Sequence, residues 1–175
     1  GQANTPGRRA IRFKDGQLTQ LTGAPTGFVL AEAFGVSHDG SVIVGVGIPT
    51  GGDTEAFRWE NGIVTRLGDL QGGLPRSVAR AVSPDGRVVD GYGYLSGHDE
   101  AFRWEDGVMQ GLGRLPGSGS SRAYAVSADG RVIAGVSAVV PGGGPAFRWE
   151  NGRMEPLEGP EGGSPQLACA VSADG

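Results

Sequence analysis

The sequence predicts an all-β protein built from repeated antiparallel units of four short strands each. Two phrases carry this prediction, because each recurs along the 175 residues at a nearly constant spacing. The phrase Ala-Phe-Arg-Trp-Glu-Asn/Asp-Gly has copies that begin at Ala56, Ala101 and Ala146, with a weaker copy from Ala10. The phrase Val-Ser-x-Asp-Gly has copies that begin at Val36, Val82, Val126 and Val171. Steps of 44 to 46 residues are typical of solenoids, propellers and arrays.

Each period divides into four extended segments. In one period these segments are residues 78–82, 87–92, 101–105 and 108–112. Residues 83–86 and the pair Asp106 and Gly107 both contain Asp-Gly, a strong hairpin signal, whereas residues 95–99 predict a looser connection. Helical periodicity is absent. Four antiparallel strands in about 45 residues predict one blade of a β-propeller.

The complete domain, residues 1–175, is predicted to be a propeller of about four blades with an incomplete closing blade, or a fragment of a larger propeller. The predicted blade units are residues 28–67, 78–112 and 122–157, with a partial blade from 1–21 plus 167–175. This partial blade lacks its second strand. An unpaired strand edge invites pairing, so self-association through the open blade edge is a further expectation.

Alternation along the third strand places Phe57 and Trp59 on one face and Arg58 on the other. We expect the aromatic side chains to fill the space between blades, and the arginines to find turn aspartates or backbone carbonyls as partners. The predicted structural repeat residues are Phe57, Arg58, Trp59, Phe102, Arg103, Trp104, Phe147, Arg148 and Trp149, with the turn residues Asp39, Asp85, Asp129 and Asp174.

The series Ala-Phe-Arg-Trp-x-x-Gly, Leu-Gly and Ala-x-Ala-Val-Ser-x-Asp-Gly resembles the HAF-type extracellular repeat family of bacteria. The resemblance covers residues 10–175, although Ile11 and Phe13 replace Phe and Trp in the first repeat. It implies an exported bacterial protein with an extracellular or cell-surface location, and it brings no catalytic residues. The Ser-x-Asp-Gly segments also resemble, more loosely, the blades of TolB-type propellers.

Composition excludes several classes of protein. A net charge of −4 without a basic stripe argues against a nucleic-acid partner. No apolar run is long enough for a membrane span. No signal peptide opens the sequence, which fits either a cytosolic protein or a chain from which a signal peptide was removed. Cys169 is the single cysteine, so it forms no internal disulfide. The 34 glycines follow no three-residue period and fit dense turns between short strands.

No motif predicts a metal, a cofactor or a catalytic residue. The turn aspartates offer one carboxylate per turn, too few for calcium, so turn geometry explains them better. His38 and His98 lack the cysteine spacing of a zinc site, and His98 is expected to be a solvated loop residue. The Gly-x-Gly pairs from Gly45 and Gly91 lie in strands, without the helix that a dinucleotide site needs.

The repeats differ most at two offsets of the first strand. One offset holds Glu32, Val78, Arg122 and Leu167, and the other holds Phe34, Arg80, Tyr124 and Cys169. First strands line the centre of a propeller, so these side chains are expected at the mouth of its channel, unless they serve only packing between blades. The candidate ligand-binding residues, with one loop histidine added, are Glu32, Phe34, Arg80, His98, Arg122 and Tyr124.

One end of the predicted blades carries the longer and more variable connections, which we call the long-loop face. Its connections are residues 22–30, 46–55, 68–77, 92–100, 113–121, 136–145 and 158–166. Function commonly lies on such loops. The sequence therefore predicts a non-catalytic module that binds a protein or glycan through this face or serves structural assembly. The alternative is a propeller enzyme that acts on a carbohydrate or small ester at the channel mouth, which the near-identity of the repeats disfavours.

Overall fold

A computed structural model describes residues 9–138, 143–159 and 167–175. Within these residues the chain forms fourteen β-strands and no helix, which confirms the all-β prediction. The first two strands, β1 (Ile11–Lys14) and β2 (Gln17–Gln20), form a hairpin. The remaining described strands form three antiparallel sheets of four strands each, in chain order. We call these sheets blades 1, 2 and 3.

Each blade is a meander in which consecutive strands are neighbours. Blade 1 contains β3 (Phe28–Val36), β4 (Val42–Pro49), β5 (Glu55–Glu60) and β6 (Ile63–Gly68). Blade 2 contains β7 (Leu74–Val82), β8 (Val89–Leu95), β9 (His98–Glu105) and β10 (Val108–Gly111). Blade 3 contains β11 (Ser120–Val126), β12 (Ile133–Ala138), β13 (Ala146–Glu150) and β14 (Arg153–Pro156).

The turn between the third and fourth strands has the predicted hairpin geometry. Asn61, Asp106 and Asn151 adopt φ values of 49° to 51°, and each is followed by a glycine with positive φ. Asparagine and aspartate tolerate this left-handed conformation better than other side chains do. The Asn-Gly and Asp-Gly pairs therefore fix where each blade turns to its outermost strand.

The Ser-x-Asp-Gly turn is held by its own serine. In blade 2 the Ser83 hydroxyl donates a hydrogen bond of 2.5 Å to Asp85 and accepts one of 2.9 Å from the Val88 amide. The Ser83 hydroxyl is the main reason that the pKa of Asp85 lies below its usual range. The same pair of bonds recurs at Ser37 and at Ser127. Each aspartate thus serves its own turn.

The aromatic residues of the repeated phrase fill the space between blades, as predicted. Phe57, Phe102 and Phe147 are fully buried. Phe102 and Trp104 of blade 2 belong to the same apolar cluster as residues of blade 1, while Phe147 belongs to the cluster between blades 2 and 3. The hydrophobic core is therefore divided into layers, one between each pair of neighbouring blades.

The recurring arginine finds a backbone partner in the next blade. The Nε of Arg58 donates to the carbonyl oxygen of Gly86 over 3.0 Å, and Arg103 donates to Gly130 over 3.2 Å. Of the two kinds of partner predicted for these arginines, the backbone carbonyl is the one that receives the Nε bond. The arginine of one blade is thereby joined to the Ser-x-Asp-Gly turn of the next.

The structure corrects the prediction of a loose connection at residues 95–99. Leu95 pairs directly with His98, and only Ser96 and Gly97 form the turn, with φ values of 51° and 91°. His98 is therefore the first residue of β9, and it is not a solvated loop residue. Residues 92–100 are a tight hairpin that does not belong with the long loops. Parts of the connections at 136–145 and 158–166 lie outside the described residues.

The two ends of the described chain lie on different blades. Residues 167–175 contact blade 3, where the Ala128 amide donates to the Ala173 carbonyl over 3.0 Å. The β1–β2 sheet has two strands among the described residues. Phe13 stands at the position of the blade tryptophans, yet it is 70% exposed. Residues 1–8 are not described, so the shared closing blade and the self-association remain predictions.

Candidate ligand-binding site

A β-bulge interrupts the first strand of each blade at the same place. The pairing of first and second strands skips Phe34 in blade 1, Arg80 in blade 2 and Tyr124 in blade 3. A bulge leaves its residue out of the ladder and turns the side chain in a new direction. These three residues, which we call the inner row, are also among those that differ between repeats.

The inner row is a contiguous stack. The guanidinium carbon of Arg80 lies 4.5 Å from the centre of the Phe34 ring and 5.3 Å from that of the Tyr124 ring. Each such contact contributes about 0.5–1 kcal/mol at a partly exposed site. No ion pair in the described part of the chain involves Arg80. The stack therefore holds a positive charge whose neighbours are aromatic.

A buried carboxylic acid lies beside the inner row. Asp90 on β8 is fully buried, and its register partner on β7 is Ala81, the residue after Arg80. Neither carboxylate oxygen has a well-formed hydrogen bond to any described residue. Burial raises the pKa of Asp90 to about 7, while the nearby Ala81 amide and the charge of Arg80 act in the opposite direction. The equivalent residues of blades 1 and 3 are Val44 and Ala134.

The second variable offset contributes Arg122 to a cluster between blades 2 and 3, which also interacts with Tyr124 of the inner row. Arg122 of β11 donates to one carboxylate oxygen of Asp99 over 2.8 and 2.5 Å. Its guanidinium also lies 4.8 Å from the centre of the Tyr92 ring. Arg122 is thus bound to its neighbour blade, and its donors are at least partly occupied. At the same offset Val78 is buried and Leu167 is exposed.

His98 stands apart from the inner row and pairs with Glu100 of the same strand, with 3.6 Å between Nε2 and the carboxylate. In blade 1 the equivalent Glu55 is paired with Arg66 of β6. Blade 2 has Gly111 at the position of that arginine, and a Cβ there would lie 2.3 Å from the Glu100 carboxylate. Histidine therefore takes the place of an arginine that the repeat has lost.

Other chemistry finds little support in the described residues. They contain no group of three or more His, Cys, Asp or Glu side chains arranged to hold a metal ion. Nor do they contain a helix long and apolar enough to cross a membrane.

The predicted candidates do not form one single cluster. Arg80 contacts Phe34 and Tyr124, whereas Arg122 binds Asp99 and also interacts with the Tyr124 side chain, and His98 pairs with Glu100. Glu32 lines a shallow groove together with Arg9 and with Phe34 of the inner row. Sequence reasoning missed Tyr92, Asp99 and Asp90. Of these, only Asp90 carried a visible signal, because it is a charge at a position that is apolar in the other two blades.

The blades, their order and their layered core define a segment of a β-propeller. A solved structure from Agrobacterium tumefaciens, provisionally named TolB, is similar, with a TM-score of 0.55 and 19% identity over 79% of this chain and 51% of that chain. TolB from Acinetobacter baumannii gives a TM-score of 0.53 and 20% identity over 88% of this chain and 37% of that chain.

The chain spans about half or less of the length of these two proteins. Identities near 20% establish a shared fold and no more. No protein-family model matches the sequence. No curated protein matches it either.

Proposed function

We propose that this protein is a non-catalytic β-propeller module, extracellular or on the cell surface, that binds a protein ligand at the inner row. The observation that carries the proposal is the stack of Phe34, Arg80 and Tyr124 at three equivalent bulges. The bulge recurs in all three blades, but the side chain that it carries differs from blade to blade. A binding site requires such a place, because identical repeats would offer identical surfaces.

The chemistry of the row suits recognition. Arginine and tyrosine are the residue types that most often dominate the energetics of protein interfaces. The acid beside the row, Asp90, is fully buried and has no surface through which it could reach a substrate. Proton transfer needs an acid or base within hydrogen-bond reach of the reacting group. The row therefore favours binding over catalysis.

A protein ligand fits better than a glycan. Sugars stack on free aromatic faces, and here one face of Phe34 and one face of Tyr124 are covered by the Arg80 guanidinium. Each residue of the row lies two residues before the end of its first strand, so the row is closer to the Ser-x-Asp-Gly turns than to the long-loop face. The location outside the cell is supported by the resemblance of the repeats to HAF-type proteins.

The proposal is tested by ligand capture with matched variants. Immobilised wild-type protein and a Phe34→Ala/Arg80→Ala/Tyr124→Ala variant would be incubated with secreted and envelope proteins of a bacterium that encodes the chain. The control is Ile63→Ala/Val108→Ala, which alters exposed residues of outermost strands. We expect one set of polypeptides to be retained by the wild type and the control but not by the inner-row variant. Equal retention of polypeptides by all three proteins would refute a binding site at the row. Saturable binding on a glycan array without protein capture would show that the ligand is a glycan and not a protein.

A pair of titratable side chains in blade 2 supports a test of the enzyme alternative. His98 and Glu100 form the pair of titratable side chains that an acid–base mechanism would use, and both are only about 15% exposed. A panel of carbohydrate and small-ester substrates would be assayed with the wild type and with His98→Ala. Turnover that disappears in His98→Ala would support the enzyme in place of the binding module.

A further inference from the structure

We propose that the inner row recognises a carboxylate group of an acidic peptide segment through the Arg80 guanidinium, and that buried Asp90 acts as an internal competitor for the same guanidinium. This inference rests on the proposed function and deepens it, since it assigns the chemistry of the ligand and a proton-linked control of the site.

The Arg80 guanidinium lies close to two aromatic rings. Phe34 from blade 1 and Tyr124 from blade 3 stand on either side of the middle blade, and both rings lie within cation–π distance of the guanidinium. A guanidinium is planar, and contacts between its charge and ring faces do not use its N–H groups as conventional hydrogen-bond donors. That planar fork matches the two oxygens of a carboxylate.

The charge of Arg80 is not neutralised by contact. The repeated arginines Arg58 and Arg103 each bind a backbone carbonyl and a glutamate, and Arg122 binds Asp99. In the described residues Arg80 has only the two rings and the field of Asp90. A ligand carboxylate would supply the missing partner.

Asp90 is placed to compete for this role. It is fully buried, it has no well-formed hydrogen bond, and it stands next to the bulge that carries Arg80. Burial raises the pKa of Asp90 to about 7, so the acid changes charge near neutral pH. Ionised Asp90 attracts Arg80 inward and weakens its hold on an external anion, whereas protonated Asp90 leaves Arg80 to the ligand.

The other charged groups around Asp90 are already engaged. On β9 its register partner is Arg103, whose guanidinium binds Gly130 and Glu105. On β11, which packs against β8, Arg122 is held by Asp99, and Tyr124 is the remaining titratable group. Arg80 on β7 is thus the cation that responds to the charge of Asp90.

Capped hexaglutamate peptide with a fluorescent label is the probe, and capped hexaglutamine is its neutral counterpart. At pH 6 we expect hexaglutamate to bind and hexaglutamine not to bind, by fluorescence polarisation at low salt. Arg80→Gln should weaken binding at least about tenfold, the effect of losing one charge-assisted hydrogen-bonded pair. The control is Arg76→Gln, which removes an equal charge from an arginine stacked on Tyr94 elsewhere in blade 2.

The second arm tests the competitor. Wild-type affinity for hexaglutamate should fall about fivefold or more from pH 6 to pH 8, while glutamate itself stays ionised throughout. Asp90→Asn mimics the protonated acid, so its affinity should stay at the pH 6 level across this range. A pH dependence that persists in Asp90→Asn would come from another group and would overturn the role of Asp90.

The outcomes separate this inference from the proposed function. Absence of hexaglutamate binding, or equal losses in Arg80→Gln and Arg76→Gln, would overturn carboxylate recognition even if the inner row still captured a protein. Arg80-dependent binding of a tetragalacturonate probe in place of the peptide would overturn the assignment to an acidic peptide. Thermal melts of each variant show that it is folded before binding is compared.

Discussion

The Nε of Arg58 lies 3.0 Å from the carbonyl oxygen of Gly86, which belongs to the first turn of the next blade. The acceptor is a backbone atom, so its position depends on the turn and not on the side chain at that residue. The same guanidinium also donates to Glu60 over 2.9 Å, which fixes its orientation. One arginine thereby connects the third strand of a blade, its outer charged residue and the neighbouring blade.

Replacing such an arginine should destabilise the packing of one blade against the next. We expect Arg103→Ala to lower the free energy of unfolding by about 1.5–3 kcal/mol, because it leaves the Gly130 carbonyl without its charged donor. Urea unfolding followed by tryptophan fluorescence measures the change. Arg153→Ala is the control, since its pair with Glu155 is exposed and should contribute less than about 1 kcal/mol. Equal effects of the two substitutions would contradict the role of the buried link.

The buried tryptophan between two blades should contribute more to the free energy of unfolding than the arginine does. Trp104 is buried between blades 1 and 2, so Trp104→Ala should cost about 3–5 kcal/mol by opening a cavity. Phe13, at the equivalent position of the first repeat, is 70% exposed, and Phe13→Ala should change stability by less than about 0.5 kcal/mol. Both values come from equilibrium denaturation. A large loss for Phe13→Ala would show that this face is covered in solution.

Asp90 should make stability depend on pH. Its pKa is about 7 in the folded protein against an ordinary value of 3.8, so between these values the folded state binds more protons than the unfolded chain. The free energy of unfolding contributed by this group therefore falls as pH rises from about 4 to about 7, and the loss is complete above that range. Asp90→Val, which copies Val44 of blade 1, should flatten this decline.

At pH 8 we expect Asp90→Val to be more stable than the wild type by roughly 1–3 kcal/mol, because it removes an unsatisfied buried charge. Melting temperatures at pH 5 and pH 8 give the comparison. A variant whose advantage is the same at both pH values would indicate that packing, and not ionisation, distinguishes the two side chains.

The serine of the Ser-x-Asp-Gly turn should be more important than its size suggests. Ser83 is fully buried, and its hydroxyl both donates to Asp85 and accepts from the Val88 amide. Ser83→Ala should cost about 1–3 kcal/mol, since it leaves a buried amide unpaired. It should also raise the Asp85 pKa toward its ordinary value, which NMR titration of the carboxyl group detects. An unchanged Asp85 pKa would show that the turn backbone alone lowers it.

The parts of the fold that sequence predicts are those set by local chemistry and repetition. Trp104 and the Asp106–Gly107 turn were predictable because burial and positive φ have strong residue preferences. The turn at Ser96 was not, since Ser-Gly is a weaker signal than Asn-Gly. The residues of the inner row were predictable as candidates because they differ between repeats. Their contacts with one another were not predictable.

Contacts across blades depend on register, which the sequence does not display. Arg122 and Asp99 are 23 residues apart and meet only because neighbouring blades stack in a particular alignment. The bulge at Arg80 has no residue signature of its own, so its stacking between Phe34 and Tyr124 required the structure. These side chains are also the ones on which the proposed binding depends.

One proline removes a backbone hydrogen bond from the boundary between blades 2 and 3. At the second position of the first turn, the His38 amide donates to the Pro84 carbonyl, and the Ala128 amide donates to the Ala173 carbonyl. Pro84 has no amide hydrogen, so the equivalent backbone bond from blade 2 to blade 3 cannot form. Cohesion there relies instead on side chains, among them Arg122 with Asp99. The force needed to separate blades 2 and 3 would therefore depend on these side chains. Substitutions at the boundary would raise or lower that force without altering the blades themselves.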